Sequence, residues 1–470
     1  MLSTISLFLA LAFVLLGQAT PSAQEHAEQA IRFARQGDLK HAEGELRRAV
    51  ELSPTDSALL TSLGGILAME GDLQQANSYL ARAVKLNPQD AVSRRNLAAN
   101  QWQLGKLKEA HDNLDRLIRA NPRDEASIFL LGMVSEKEKD YARSGALLES
   151  VPDVLEQQPD GWAALASSYY HTNRRENAQS ALRKLLTRPN NPRVIFKCAE
   201  VAMDGKDYPM AEALFSSIRS TYADPAAVDF QIALAQYLDN RADQSEKTLV
   251  NAIESRRARS NAYLLLSKIL VDRKADSRAL RIVTQGSQMF PDSYELLFTK
   301  ASVEMKSLSY SAAVVSYQRA AKMKPDSSET KRNLATAEWR AGMRKQAVAD
   351  FELAIRQFPR DAATCQIYGT LLLEDGSPEN RSKAVALLKL AIELDASSVE
   401  PRYQLANVEL EDGKPEQAVP YLEDAMKLDS GDSRLHFAMS RVYRRLGRSS
   451  DADKEMETYQ KLKATEQLAR

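Results

Sequence analysis

The sequence is poor in cysteine and has no excess of either charge. Only two cysteines, Cys198 and Cys365, occur in 470 residues, so we expect two buried free thiols rather than a disulfide framework. Lysine plus arginine and aspartate plus glutamate both number 63, which leaves a formal net charge of zero. A neutral chain has no overall field to attract nucleic acid or an anionic membrane, so we expect no nucleic-acid partner.

Patterns that carry catalysis or bind metals are also missing. The five histidines are scattered, and none has a second histidine at metal-ligand spacing. The sequence contains no GxxxxGK[ST] phosphate loop, no GxGxxG turn and no G-x-S-x-G elbow. Because isolated acids and hydroxyls on helices mostly face solvent, we expect no enzyme activity, no cofactor and no metal site.

A helical pattern in residues 57–90 is repeated along the rest of the chain. Its apolar and small residues follow helical spacing in two halves, with Gly71 and Asp72 between them. Glycine suits the end of one helix and aspartate suits the start of the next. The pattern predicts a helix, a turn and a second helix, with stripe residues Leu60, Leu63, Gly64, Leu67, Ala76, Leu80 and Ala83 and a closing Pro88.

This unit recurs with a period of 34 residues, as the spacing of Pro54, Pro88 and Pro122 shows, and again that of Pro291, Pro325 and Pro359. A fixed period of this size indicates stacked repeats, because one helical pair cannot bury its apolar stripe without a neighbour. With these residues the chain resembles the tetratricopeptide repeat family. The resemblance implies an all-α fold, a right-handed α-solenoid superhelix of about thirteen helix-turn-helix repeats.

The ends of the chain differ from the repeats. Residues 1–23 contain no charged side chain, and an apolar run over residues 5–16 precedes small residues at Gly17, Ala19 and Ala23. This predicts a signal peptide, with an uncleaved N-terminal anchor left open because no lysine or arginine lies near Met1. Repeats then cover residues 24–470, and a polar capping helix occupies about residues 449–470.

Several repeats depart from the pattern. Residues 125–158 and 226–259 match it weakly, and Pro152 is expected to shorten the second helix of the first of these. An insertion with the sequence SPENRS, residues 377–382, is expected to lengthen a loop. Small residues at Ala76, Ala211, Ala347 and Ala418 are expected to let the two helices of a repeat approach closely.

The resemblance also implies a binding groove, because first helices line the inner face in this family and set positions point into it. Aromatic and methionine side chains there suit peptide binding, since they bury large areas and adapt to different partners. Packing between repeats is the alternative for each residue. The implied groove residues are Arg95, Trp102, Phe129, Met133, Tyr170, His171, Phe196, Met203, Phe230, Tyr237, Phe298, Met305, Arg332, Trp339, Tyr403 and Asn407.

Groove positions near the carboxyl end become basic, at Arg434, Arg441, Arg444 and Arg445. Such a patch could receive an acidic segment or a terminal carboxylate through charge-assisted hydrogen bonds. A solvated helix face is the alternative explanation.

The sequence therefore predicts a non-catalytic scaffold that binds a protein or peptide segment in its concave groove. An exported chain of this type is expected in the periplasm or envelope of a bacterium, in assembly of an envelope complex, with membrane contact only through an uncleaved N-terminal segment. The alternative is a carbohydrate-binding or polysaccharide-export accessory protein, with Trp102, Tyr170, Tyr237 and Trp339 stacking on sugars.

Overall fold

The structure is a computed structural model that describes residues 21–187 and 191–468. Over these ranges it consists of α-helices and turns, without a strand. Most of the predicted leader lies outside the described residues. None of the described helices combines the length and the apolar character needed to cross a membrane. The chain divides into unit 1, Met1–Ala258, and unit 2, Arg259–Arg470.

Unit 1 contains fifteen described helices. They are α1 (Pro21–Arg35), α2 (Leu39–Leu52), α3 (Ser57–Glu70), α4 (Leu73–Leu86), α5 (Ala91–Gln103), α6 (Leu107–Ala120), α7 (Glu125–Lys137), α8 (Tyr141–Glu149), α9 (Pro152–Gln157), α10 (Gly161–His171), α11 (Arg175–Leu186), α12 (Pro192–Asp204), α13 (Tyr208–Ser217), α14 (Pro225–Leu238) and α15 (Ala242–Glu254).

Unit 2 contains twelve described helices. They are α16 (Ser260–Asp272), α17 (Asp276–Met289), α18 (Tyr294–Lys306), α19 (Tyr310–Met323), α20 (Ser328–Arg340), α21 (Arg344–Gln357), α22 (Ala362–Asp375), α23 (Pro378–Leu394), α24 (Glu400–Glu411), α25 (Pro415–Leu428), α26 (Ser433–Arg445) and α27 (Ser449–Leu468). Apart from the short α9, the described helices of both units form thirteen helical hairpins, which confirms the predicted all-α solenoid of repeats.

Local chemistry determines where the helices begin and end. The carboxylate of Asp56 accepts hydrogen bonds from the backbone N–H groups of Ala58 and Leu59 at 2.8 and 3.1 Å, which satisfies free donors at the start of α3. The same helix ends at Gly71, whose φ of +92° is left-handed and costs glycine little. Asp72 then caps α4 by accepting from the N–H of Gln75 at 3.0 Å.

Of two irregularities predicted from the sequence, the structure confirms one and contradicts the other. Helix α8 ends at Glu149 and Pro152 opens α9, so the predicted shortening of this second helix is confirmed. The loop predicted for residues 377–382 is wrong, because the insertion extends a helix. Ser377 caps α23 by accepting a hydrogen bond from the N–H of Asn380, and Pro378 fits its first turn, so α23 reaches 17 residues.

Close approach of the two helices holds each hairpin together. Ala76, Ala211, Ala347 and Ala418 are all fully buried, as their predicted role requires. In the hairpin of α3 and α4, a Cβ atom added to Gly64 would lie 2.6 Å from Cγ of Leu80. No larger side chain fits at such a contact without moving the helices apart.

Both cysteines are free and buried, as predicted. Burial raises the pKa of the Cys198 thiol to about 12, so its reactive thiolate form is suppressed at neutral pH.

One buried acid was not predicted from the sequence. Glu338 is fully buried in α20, at the repeat position that Leu67 occupies in residues 57–90. Its facing residue on α21 is Asp350, twelve positions later. At the same two positions of other repeats Gln101 pairs with Asn113, and Gln236 with Thr248, each at 2.9 Å. Burial, followed by the adjacent charge of Asp350, raises the pKa of Glu338 to about 8.

We expect Ala347→Leu to destabilise unit 2 by about 1 to 3 kcal/mol, because the larger side chain must force α20 and α21 apart. Thermal unfolding followed by circular dichroism measures the effect. Ala349→Leu on the exposed face of the same helix is the matched control and should leave the midpoint unchanged. An unchanged midpoint for Ala347→Leu would show that the repeat register is wrong.

Glu338 should make stability depend on pH. Its pKa is raised from 4.5 to about 8 on folding, so the folded chain keeps a proton that the unfolded chain releases. Stability is therefore highest below the unfolded pKa and is lost as pH rises through the window from 4.5 to about 8.

We expect Glu338→Gln to flatten this decline in the unfolding midpoint, since the amide carries no titrating proton. Glu329→Gln, an exposed change on the same helix, should keep the decline of the parent chain. Parallel pH profiles for the parent and Glu338→Gln would contradict the assignment.

Candidate partner-binding surface

First helices form the inner side of each stack. Within each unit most consecutive first helices contact each other, as α3 does with α5, α10 with α12, and α20 with α22. Among consecutive second helices of the described ranges, α11 and α13 contact each other in this way, whereas contacts between first helices recur along both units. The more closely spaced layer of a curved stack lies inside, so the residues implied for the groove lie on the inner layer.

Three of the implied groove residues belong to the core, so their prediction as groove-lining side chains is wrong. Phe129, Met133 and Trp339 are 4%, 6% and 2% exposed. The ring of Phe129 lies over Gly161, where an added Cβ would be 2.5 Å from Cε2 of the phenylalanine. Met133 belongs to the same hydrophobic cluster. These side chains pack between repeats, which was the alternative for each position.

Trp339 is covered from two sides. Its ring meets Tyr368 of the next first helix edge to face, with 6.4 Å between centroids. The guanidinium of Arg344 lies 4.1 Å from the Trp339 ring centroid and adds a cation–π contact.

The two implied groove arginines join neighbouring repeats. Arg95 contacts Asp124 and Arg332 contacts Asp361, each at 2.8 Å, and both aspartates cap the first helix of the next repeat. Burial alone would raise the pKa of Asp361, but the hydrogen bond from Thr364 and the charge of Arg332 outweigh it and hold that pKa below its usual value.

Four other implied residues of unit 1 share a hydrophobic cluster and remain partly exposed. They are Trp102, Tyr170, Phe196 and Met203. The Tyr170 hydroxyl donates to Asp207 at 3.0 Å, and its ring covers Gly205 of the following repeat. Burial, then the charge of Asp207, raises the pKa of Tyr170. Phe196 stacks on Tyr222 with 4.6 Å between ring centroids.

The remaining implied residues of unit 1 are His171, Phe230 and Tyr237. His171 is exposed and stacks on Tyr141 with 3.8 Å between ring centroids. Phe230 and Tyr237 lie on α14, the first helix that follows α12, and both are partly exposed. The inner layer of α10, α12 and α14 therefore presents partly exposed aromatic and methionine side chains on three first helices.

In unit 2 the implied residues are dispersed over several helices. Phe298 and Met305 pack against the hydrophobic cluster that contains Tyr317 and remain partly exposed on α18. Tyr403 and Asn407 are partly exposed on α24. The guanidinium of Arg434 lies 5.1 Å from the Tyr403 ring centroid.

The basic residues of α26 fall into two groups. Arg434 is engaged, with ion pairs to Asp432 at 2.7 Å and to Glu400 at 3.1 Å. Arg441, Arg444 and Arg445 are exposed and have no ion pair within the described ranges. Only these three of the four predicted basic residues are available to an external anion.

Sequence reasoning missed Phe437, which is 40% exposed on the same helix. Counting Ser57 as the first position of the repeat in residues 57–90, Phe437 occupies the fifth position of its own repeat. The same position is taken by Phe129, Phe196, Phe230 and Phe298 in theirs. That shared position is the signal that could have identified it.

No cluster of histidine, cysteine, aspartate and glutamate suited to a metal ion occurs in the described part of the chain.

Comparison with known proteins agrees with the architecture. One family model described as tetratricopeptide repeat matches residues 67–131 and 409–470, and a second with the same description matches residues 27–91 and 298–362. These segments lie in both units. No curated protein sequence matches the chain.

Solved structures with similar folds share little sequence with this chain. Yeast Tom70 is 16% identical over 94% of this chain and 92% of its own, with a TM-score of 0.43. The APC/C hetero-tetramer Cut9-Hcn1 is 12% identical over 97% and 96%, with a TM-score of 0.39. Pseudomonas aeruginosa pilF is 17% identical over 43% and 92%, with a TM-score of 0.36. At these scores the likenesses carry no argument about function.

The family models, the 34-residue period and the thirteen hairpins lead to one assignment. The chain belongs to the tetratricopeptide repeat family, whose repeats form protein-interaction scaffolds.

Proposed function

We propose that the inner layer of α10, α12 and α14 binds an extended or helical segment of a partner protein. The observation that carries this proposal is the row of aromatic and methionine side chains that remain partly exposed on these three helices. They are Tyr170, Phe196, Met203, Phe230 and Tyr237.

The surroundings of this row suit a peptide. Lys197, Glu200 and Asp204 are exposed on α12, so charged groups flank the apolar side chains. Burial, followed by the charge of Asp204, raises the pKa of Glu200. An interface with an apolar centre and a polar rim is the usual arrangement of protein-binding sites, because the centre supplies affinity and the rim supplies orientation.

A protein segment is favoured over a carbohydrate. One of the four rings expected to stack on sugars, Trp339, is buried.

We also propose that the chain is exported and acts in assembly of a cell-envelope complex. Support comes from the uncharged apolar pattern of residues 1–23. Ala23 lies within α1 and is fully buried, so cleavage after Ala19 would leave this helix whole whereas cleavage after Ala23 would remove part of it.

The triple variant Met203→Ala, Phe230→Ala, Tyr237→Ala tests the binding surface. We expect a partner cross-linked to the parent chain in its native cells to be lost from the variant. A segment of that partner, titrated against purified chain by calorimetry, should bind the variant at least about tenfold more weakly.

Tyr79→Ala is the matched control, because it removes a partly exposed aromatic ring from the second helix α4. It should bind like the parent chain. Equal binding by all three chains would refute the inner-layer proposal, and saturable binding of a soluble oligosaccharide without a protein partner would favour the carbohydrate alternative.

N-terminal sequencing of chain secreted by a Gram-negative host tests the export proposal. We expect the mature protein to begin at Thr20, since this cut preserves α1. A start at Gln24 would contradict the site, and a start at Met1 in a membrane fraction would establish an uncleaved anchor instead.

A further inference from the structure

Inside the array, most first helices contact the next one. Phe129, at the fifth position of its repeat, lies over Gly161 of the following first helix. Arg332, at the same position, pairs with Asp361 at the start of the following first helix. The hydroxyls of Tyr294 and Thr330 bridge another such pair at 2.7 Å. The side of a first helix that faces forward along the chain is therefore normally an interface.

Helix α26 is the last first helix in the described part of the chain, and its forward side carries a different surface. Phe437 at the fifth position is 40% exposed, and its ring lies 5.2 Å from the ring of Tyr459 on α27. Arg441, Arg444 and Arg445 are exposed on the same helix. We call these five residues the terminal edge.

The terminal edge has unbalanced positive charge. Three acidic groups of α27 are engaged, since Asp451 pairs with Arg448, Glu455 with His436, and Glu457 with Lys461, whereas Asp453 has no ion pair in the described ranges. Arg441, Arg444 and Arg445 lack ion pairs within the described ranges. Three guanidinium groups beside two aromatic rings match a partner that has carboxylates next to an apolar stripe.

We propose that the terminal edge docks an acidic amphipathic helix of a partner protein, in the place that a further first helix would take. The internal repeats supply the geometric reason, because there this side commonly contacts the next first helix. Charge supplies the second reason. Within the array, the guanidinium groups of Arg95 and Arg332 form ion pairs with the aspartates that cap the next first helix. The proposal is independent of the inner layer of unit 1.

A synthetic peptide of about 18 residues, or five helical turns, is a suitable probe. It carries leucines on one stripe and glutamates on both flanks of that stripe, with a fluorophore at one end. Titration with the full chain, followed by anisotropy, should show saturable binding that weakens as salt is raised. A peptide with the same composition in scrambled order should bind weakly.

Two variants separate the apolar and ionic contributions. Phe437→Ala and the double change Arg441→Ala, Arg444→Ala should each weaken binding at least about tenfold, and the double change should also reduce the salt dependence. Arg319→Ala with Arg356→Ala is the matched control, because it removes two exposed arginines elsewhere in unit 2. It should leave affinity unchanged, and circular dichroism should show all variants folded.

Other outcomes would overturn the proposal. Equal affinity for the scrambled peptide, or equal loss in the control variant, would show non-specific attraction. Competition by single-stranded DNA together with unaltered binding by Phe437→Ala would identify a general polyanion surface. If the amphipathic peptide shows no saturable binding, the proposal is wrong and the terminal edge is a solvent-facing end of the solenoid.

Discussion

The close contact between the two helices of each hairpin is the constraint on which the remaining structure depends. Fully buried alanines and glycines such as Gly64 bring the helices so near that no larger side chain fits between them. This contact buries only one side of each helix. The remaining apolar stripes must be covered by the next hairpin, so stacking, an inner layer and two ends follow from local geometry.

Sequence alone predicts the hairpins well because their determinants are local. The 34-residue period, the small residues and the Gly71–Asp72 turn all act within one repeat, and the helices appear where these features predict them. The wrong prediction of a loop at residues 377–382 has a local cause too. Ser377 is a good helix cap and Pro378 a good first residue, so the added residues continue a helix instead of forming a loop.

Accessibility in the groove was less predictable because it depends on the neighbouring repeat. Phe129 and Phe298 share a repeat position, yet the first is core and the second is partly exposed. The difference at Phe129 is Gly161, which lets the ring enter the next repeat. The buried acid Glu338 has a similar origin, since its environment depends on Asp350 twelve residues away on the facing helix. Family positions identify the layer on which a side chain lies, whereas neighbouring side chains decide whether it meets solvent.

Beside the hairpin of α7 and α8 in unit 1, the short helix α9 covers part of the hydrophobic core. Helix α9 has six residues, fewer than two helical turns, and so short a helix has little stability of its own. It contacts α7, and its Leu155 packs beside Phe129 above Gly161. Local opening of α9 would need far less free energy than unfolding a whole repeat. Part of the cover of the Phe129 ring is thus a marginal element, so local opening of α9 would loosen the packing at Gly161 while the hairpins on either side stay folded.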